Sequence, residues 1–240
     1  MPNGSGCRRA FVGTVSVQKK APVPSRLNGE LRWAVRDASW DDYVELAERL
    51  PASFRVAFDG KQIEMMVTSR DHDQVGWLMA RFAEAVIDRV GIKFVPCGRA
   101  TWQKPEAERG IEADECYLLE PAKIAFVKKL RAAKSKDESG YPTPDLAIEV
   151  DISRPKVDRP GIYAAMGVTE LWRFDEDTLV IERLGPDGRY KGVEASSWLP
   201  VRVEHLRRWV VDEDSSDFAV WSRRMRAWVR KTYRSQGRTR

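Results

Sequence analysis

The segment DLAIEVDI, residues 145–152, holds the densest set of side chains able to do chemistry. Its length and composition predict a β-strand, and side chains on a strand alternate between two faces. Leu146, Ile148, Val150 and Ile152 then share one face, while Asp145, Ala147, Glu149 and Asp151 share the other. Carboxylates about 6–7 Å apart along one face repel unless a cation lies between them. A divalent metal is the natural counterion: hard cations such as Mg²⁺ take oxygen ligands, commonly one or two carboxylates with water and a substrate phosphate. A solvent-facing acidic strand is the plain alternative, and the pattern alone leaves both open.

A second segment, IEADECYLL at residues 111–119, predicts a neighbouring strand with Glu112, Asp114 and Cys116 on one face. If the two strands pair, Asp114 meets Glu149 across the sheet. Carboxylates from separate strands then converge on one ion, which positions a water for attack on a phosphodiester and screens the charge building on the phosphorus oxygens.

The elements that must hold these residues follow from periodicity and punctuation. Ser39 precedes WDDYVELAERL, whose apolar residues recur at helical spacing up to Pro51. FRVAFDGKQIEMMV reads as a hairpin turning at Asp59-Gly60. HDQVGWLMARFAEAVIDRV places Val75, Leu78, Met79, Phe82, Val86 and Val90 on one face of a long amphipathic helix closed by Gly91. IKFVPCGRATWQ predicts a strand, and the basic run from Lys123 to Lys136 an exposed loop with a helical turn. After DLAIEVDI come a brief helix ending at Gly167, the strands ELWRF and TLVIERL, a Gly185–Gly188 turn into RYKGVEA, and a final helix between Ser215 and Tyr233.

Charge is unevenly spread. The net charge is +5, yet residues 1–38 carry seven Lys and Arg against two acids, and residues 222–240 carry eight against none. The body between them is therefore acidic, and the basic ends read as solvated tails rather than as one binding surface. No apolar run approaches the roughly 20 residues needed to span a bilayer, and no credible cleavage site follows the N-terminal charges, so the expectation is a cytoplasmic protein without membrane association. Cys7, Cys97 and Cys116 are widely spaced and lack any CxxC, which fits reduced structural thiols rather than a disulfide framework or a zinc site. No P-loop, GxSxG, HExxH or dinucleotide fingerprint is present, which weighs against kinases, esterases, zincins and dehydrogenases.

The run GIEADECYLLEP, then PDLAIEVDIS, then IYAAMGVTELWRFDEDTLVIERL with its GRY resembles the Uma-type restriction endonucleases, a bacterial family long classed only as a domain of unknown function. The resemblance spans about Trp40 to Trp209. That family is similar to the PD-(D/E)XK nucleases, so the resemblance implies an α/β fold with a restriction-endonuclease-like core (helix, three strands, helix, strand) and a mixed sheet flanked by helices. It divides the chain into a flexible basic extension at 1–38, a nuclease domain at 39–210, and a C-terminal helix with a basic tail at 211–240.

Carried over residue by residue, Asp114 resembles the family's metal-binding aspartate, although Ala113 stands where proline is usual. Glu149 resembles the acid of the (D/E)XK half-motif, with the Val150 carbonyl as a backbone metal ligand. Glu64 and His72 in IEMMVTSRDH resemble an upstream Glu and His pair. Asp145 sits in the PDL signature, serving the turn into the strand rather than the metal. The motif lysine is replaced by Asp151, which cannot stabilise negative charge. In related nucleases that lysine migrates to the following helix, which makes Lys156 and Arg159 the replacement candidates and His72 a further proton acceptor. Arginine there acts as a charge clamp, not as a base.

The function implied is Mg²⁺- or Mn²⁺-dependent hydrolysis of DNA phosphodiesters, with a homodimer plausible because such nucleases commonly pair to cut both strands. The alternative is an inactive nuclease-fold module that binds nucleic acid or a protein partner. Plainer readings cover the rest: His205 packs near Trp209, and Trp77, Trp172 and Trp209 belong to the core.

Overall fold

The computed structural model describes residues 29–133 and 140–234. Cys7, Lys134, Lys136, the first 28 residues of the basic N-terminal end and residues 235–240 of the basic C-terminal end lie outside the described residues. Two sheets form. One is antiparallel throughout, in the order β1 (Leu31–Arg36), β3 (Gln62–Val67), β2 (Arg55–Phe58), β6 (Arg109–Glu112), β5 (Thr101–Lys104). The other is mixed, in the order β11 (Tyr190–Val193), β10 (Thr178–Leu184), β9 (Glu170–Asp175), β8 (Leu146–Asp151), β7 (Glu115–Leu118), β4 (Val95–Pro96). Only β8 and β9 run parallel in it. A parallel pair needs a crossover, and α4 (Arg159–Met166) supplies it. In chain order α2 (Arg70–Val90) is followed by β4, β5, β6, β7, a helix at Pro121–Ala132, β8, α4 and β9, so the expected order of helix, strands, helix, strand is present with one further helix set between β7 and β8.

Local chemistry sets the boundaries. Ser39 and Asp42 form a reciprocal capping box at the start of α1 (Trp40–Arg49). The Ser69 hydroxyl accepts the His72 N–H at 3.1 Å to open α2, and Gly91, at φ +78°, closes it in the left-handed conformation that glycine adopts without penalty. Gly110 is required for a different reason: a Cβ there would stand 2.2 Å from the Tyr43 ring, which packs α1 onto β2 and β6.

The structure departs from the sequence reading in five places. The fold begins before Trp40, because β1 pairs along its whole length with β3 inside the segment expected to be a flexible extension. A single central sheet becomes two. IEADECYLL is two strands, β6 and β7, which belong to different sheets and meet at Ala113-Asp114. IKFVPCGRATWQ likewise divides into β4 and β5. The basic run expected as a loop is largely α3 (Pro121–Ala132), begun by proline at its first position, where the missing N–H costs nothing.

β8 is buried on both faces. Leu146, Ile148 and Val150 join the larger core with α2, Trp172 and Trp209, whereas Ala147 faces a second cluster with Ile111, Ala113, Ile162 and Tyr163. Helix α6 (Phe218–Thr232) belongs to that larger core through the buried face of Trp221, Met225 and Val229. His205 packs as expected, its ring edge-on to Trp228 and Nδ1 2.6 Å from the Tyr233 hydroxyl. Trp172 and Trp209 are core, but Trp77 is 39% exposed and packs against Phe218 at the surface. Among the described residues no helix is long and apolar enough to cross a membrane.

Trp221 is fully buried and its indole N–H donates to the Trp209 carbonyl at 3.0 Å. Trp221→Ala is expected to lower unfolding free energy by about 3–5 kcal/mol, measured by urea denaturation. A loss below about 1 kcal/mol would show that α6 contributes little to the core.

Candidate active site

The antiparallel register of β7 on β8 sets Glu115 opposite Ile148 and Cys116 opposite Ala147. One rung further, Asp114 stands opposite Glu149. The backbone confirms the closeness, since the Val150 N–H donates to Asp114 Oδ2 at 2.7 Å. Glu149 and Asp151 project from β8 toward the start of α4, and Glu64 projects from the centre of β3 in the other sheet to the same place. The five carboxylates Glu30, Glu64, Asp114, Glu149 and Asp151 are all buried.

Three guanidiniums make this burial tolerable, because an uncompensated buried carboxylate costs several kcal/mol. Arg159, the first residue of α4, donates to Glu64 Oε1 at 3.0 Å, contacts Glu149, and lies 3.6 Å from Asp151. Arg32 of β1 reaches Glu64 at 2.8 Å, Asp151 at 2.7 Å and Glu30 at 3.1 Å. Arg55 of β2 pairs with Asp114. Hydrogen bonds complete the set: the Tyr163 hydroxyl donates to Glu149 Oε2 at 2.5 Å, and the Lys156 backbone N–H donates to Glu64 Oε2 at 2.5 Å. His72 Nε2 lies 3.4 Å from Asp114 Oδ1, and its Nδ1 is 3.3 Å from Asp73.

Neutralisation is uneven, and the protonation energetics follow it. Burial opposes charge on Asp114, but Arg55 and His72 outweigh it and hold that carboxyl below the ordinary range. Burial pushes Asp151 up to about 7, with Arg32 pulling down and the charges of Asp114 and Glu64 pushing it further up. Burial also drives the Tyr163 hydroxyl well above its usual value, so it stays a donor to Glu149.

Of the residues expected from sequence, Glu64, Asp151, Glu149 and Arg159 share contacts, and Asp114 with His72 adjoins them through Val150. Lys156 is present through its backbone alone; its side chain is exposed and its ammonium pairs with none of the described carboxylates. Asp145 belongs elsewhere, as expected: it accepts the Leu119 and Glu120 N–H groups at 2.7 Å each and pairs with Lys123, fixing the lead into α3 and β8. Arg32, Arg55, Tyr163 and Glu30 were not found from sequence. Arg55 carried a signal, a lone charge in an otherwise apolar strand, and Tyr163 lies one helical turn beyond Arg159. Arg32 and Glu30 lay in a stretch with no readable period.

The donor set suits a hard divalent cation. Asp114 and Glu149 offer oxygen ligands from facing positions at the start of β7 and on β8, and one or two carboxylates suffice for Mg²⁺. The buried cluster holds five acids against three guanidiniums, and Asp151 is raised first by its burial and then by the charges of Asp114 and Glu64. Asp151 Oδ2 is buried without a hydrogen-bond partner. Among the described residues no three His, Cys, Asp or Glu side chains gather closely enough to form a complete metal cage. Asp114 also borders a cavity of about 300 Å³ lined by Arg55, His72, Trp77, Arg99 and Glu115, which connects this end of the cluster to solvent.

Comparison with known proteins gives the family. Among curated proteins, none matches the chain. A solved structure from Anabaena variabilis, described as a "putative nuclease belonging to DUF820", is similar at 15% identity and TM-score 0.46, over 72% of this chain and 99% of that one. Residues 40–207 match the family model described as "Uma2: Putative restriction endonuclease". That match takes in β2 through β11 and every acidic residue of the cluster except Glu30, and the chain belongs to the Uma2 family.

Proposed function

We propose that this chain is a metal-dependent DNA endonuclease whose reacting centre lies where Asp114 meets Glu149. The observation that carries this reading is the closeness of Asp114, at the start of β7, to the Glu149-Val150 stretch of β8, with Arg159 of the following helix touching Glu149. Asp114, Glu149 and the Val150 carbonyl would hold the ion, Mg²⁺ or Mn²⁺. When bound, it supplies Lewis-acid stabilisation of the phosphoryl oxygens and a more acidic water.

The chain's own residues do the remainder. Tyr163 fixes one oxygen of Glu149, leaving the other to face Arg159. Arg159 stands on the helix to which the motif lysine migrates in related nucleases; its guanidinium offsets negative charge but does not accept a proton at working pH. His72, 3.4 Å from Asp114 and beside the solvent-connected cavity, is the side chain placed to take one. Glu64 orients Arg159 through two nitrogens at 3.0 and 3.2 Å. DNA would approach from the cavity side, past Arg99 and Trp77.

A second reading, a nuclease-fold module that binds nucleic acid or a protein partner without cutting, is favoured by one observation. Arg159 and Arg55 already contact Glu149 and Asp114, the carboxylates an ion would need. The two readings part in one assay. Purified protein is expected to nick supercoiled plasmid with Mg²⁺ or Mn²⁺ and not with EDTA. Asp114→Asn and Glu149→Gln are expected to lower that rate by roughly 100-fold or more, the scale of several kcal/mol of transition-state stabilisation. DNA retained in a gel shift without any metal-dependent nicking supports the second reading instead.

Asp151 gives a test that needs no activity. Its carboxyl is raised in the folded state, so between the ordinary aspartate range near about 4 and about 7 the folded protein binds the proton that the unfolded chain releases. The corresponding stability is fully present below about 4 and is lost as pH rises through about 7. The melting temperature is expected to fall from pH 5 to pH 8 by more in the native protein than in Asp151→Asn. Equal pH profiles for the two proteins would remove Asp151 as the strained carboxyl.

A further inference from the structure

We propose that Cys97 and Cys116 form a reversible dithiol–disulfide pair, in which Cys97, at the wall of a cavity separate from the acid cluster, is the thiol that a hydroperoxide oxidises first. The pairing follows from strand register. β4 and β7 set Val95 opposite Leu118 and Pro96 opposite Tyr117, and the Cys97 N–H donates to the Cys116 carbonyl at 2.9 Å, which places the two cysteines directly opposite on the next rung. Directly opposed residues of an antiparallel pair have Cα atoms about 4.5–5.5 Å apart, within the roughly 4.4–6.8 Å that a disulfide spans. Both thiols are free.

Their surroundings differ, and the difference assigns the roles. Cys116 is fully buried, with the Trp102 indole N–H donating to its sulfur at 3.3 Å. Cys97 is half-buried and lines a cavity of about 870 Å³ together with Trp102, Lys104, Arg131, Tyr141 and Thr143. Hydrogen bonding from Cys116 favours its thiolate; burial opposes this, and Tyr141 and Arg131 add to the favourable side, so the Cys97 thiol is held below its usual range. A thiolate that is exposed to a cavity and has a second thiol opposite it is the arrangement in which oxidation to a sulfenic acid is followed by capture.

The chemistry balances. The Cys97 thiolate attacks one peroxide oxygen, the O–O bond breaks, and the departing oxygen leaves as hydroxide or alkoxide that takes up a proton. The Cys116 sulfur then attacks the sulfenic sulfur, the S–O bond breaks, and the Cys116 proton leaves with the oxygen as water. Two thiols have given two electrons to one peroxide. The new bond ties β4 to β7 two residues from Asp114.

The test uses the full chain and needs no variant. Protein is treated with hydrogen peroxide, remaining thiols are blocked with N-ethylmaleimide under denaturing conditions, and the digest is examined without reductant. The expected product is a linked peptide containing Cys97 and Cys116, lost on treatment with dithiothreitol. Dimedone present during oxidation is expected to label Cys97. Recovery of both cysteines as maleimide adducts, or linkage of either one to Cys7 in place of the other, overturns the pairing. Dimedone on Cys116 with Cys97 unlabelled overturns the assignment of the attacking thiol.

Discussion

The structure turns on one requirement, that five carboxylates placed in a dry interior must be met by positive charge. Each buried acid would cost several kcal/mol alone, and the attraction of a guanidinium offsets that cost only where the geometry is good and the remaining lone pairs are filled. Arg159 meets the requirement best, because a planar fork can address several oxygens at once. It reaches Glu64, Glu149 and Asp151 from the first turn of a single helix. Arg32 and Arg55 complete the enclosure from the other sheet. Three guanidiniums meet five acids, and Asp151, raised first by burial, keeps one buried oxygen without a hydrogen-bond partner.

That requirement explains why the architecture has two sheets. Acids from β8 face α4, and no residue of the mixed sheet supplies the second and third guanidinium. Both come from the antiparallel sheet, which bends over the acidic face and delivers Arg32, Arg55 and Glu64 together. The chain passes between the sheets at Ala113-Asp114, so Asp114 stands where the two sheets join. β1 closes the arrangement: Glu30 accepts the Ser153 N–H at 2.9 Å and the Ile152 N–H at 3.2 Å, tying the strand's start to the end of β8.

Much of this was readable beforehand, for identifiable reasons. The alternation in DLAIEVDI survives because a strand's period is two whatever covers it, and Leu146, Ile148 and Val150 do separate from Ala147, Glu149 and Asp151. Helices α1 and α2 announce themselves through Ser39 and Gly91, whose caps are local interactions, whereas the Ser69 cap of α2 emerged only with the structure. What sequence could not carry was nonlocal. β1 has no internal signal, since LRWAVR is apolar and basic by turns and becomes a strand only because β3 offers it an edge. The split of IEADECYLL depends on two partners far away in the chain. α3 was hidden by its charges: Lys128 and Lys129 occupy a solvent face, while Ile124 and Val127 alone mark the buried side. The arginines of the site were the hardest to see, because what gives Arg32 its role is a set of carboxylates contributed by residues 30, 64 and 151.

Arginine in place of lysine at such a centre has consequences that follow from the side chains alone. A lysine ammonium is a point charge whose pKa falls on burial, so it can both offset charge and take a proton. Arg159 stays charged and cannot alternate between those roles. Under the proposed reading the two tasks separate: charge compensation would belong to a fixed fork on α4 and proton transfer to a group on another element, His72 being the one lying against Asp114. Asp151, at the lysine's place in the motif, then has a definite part. It gives Arg32 a partner at 2.7 Å and so anchors β1 over the site. A lysine at 151 would put a third cation beside Arg32 and Arg159 and remove the Asp151–Arg32 pair, leaving Arg32 to Glu30 and Glu64.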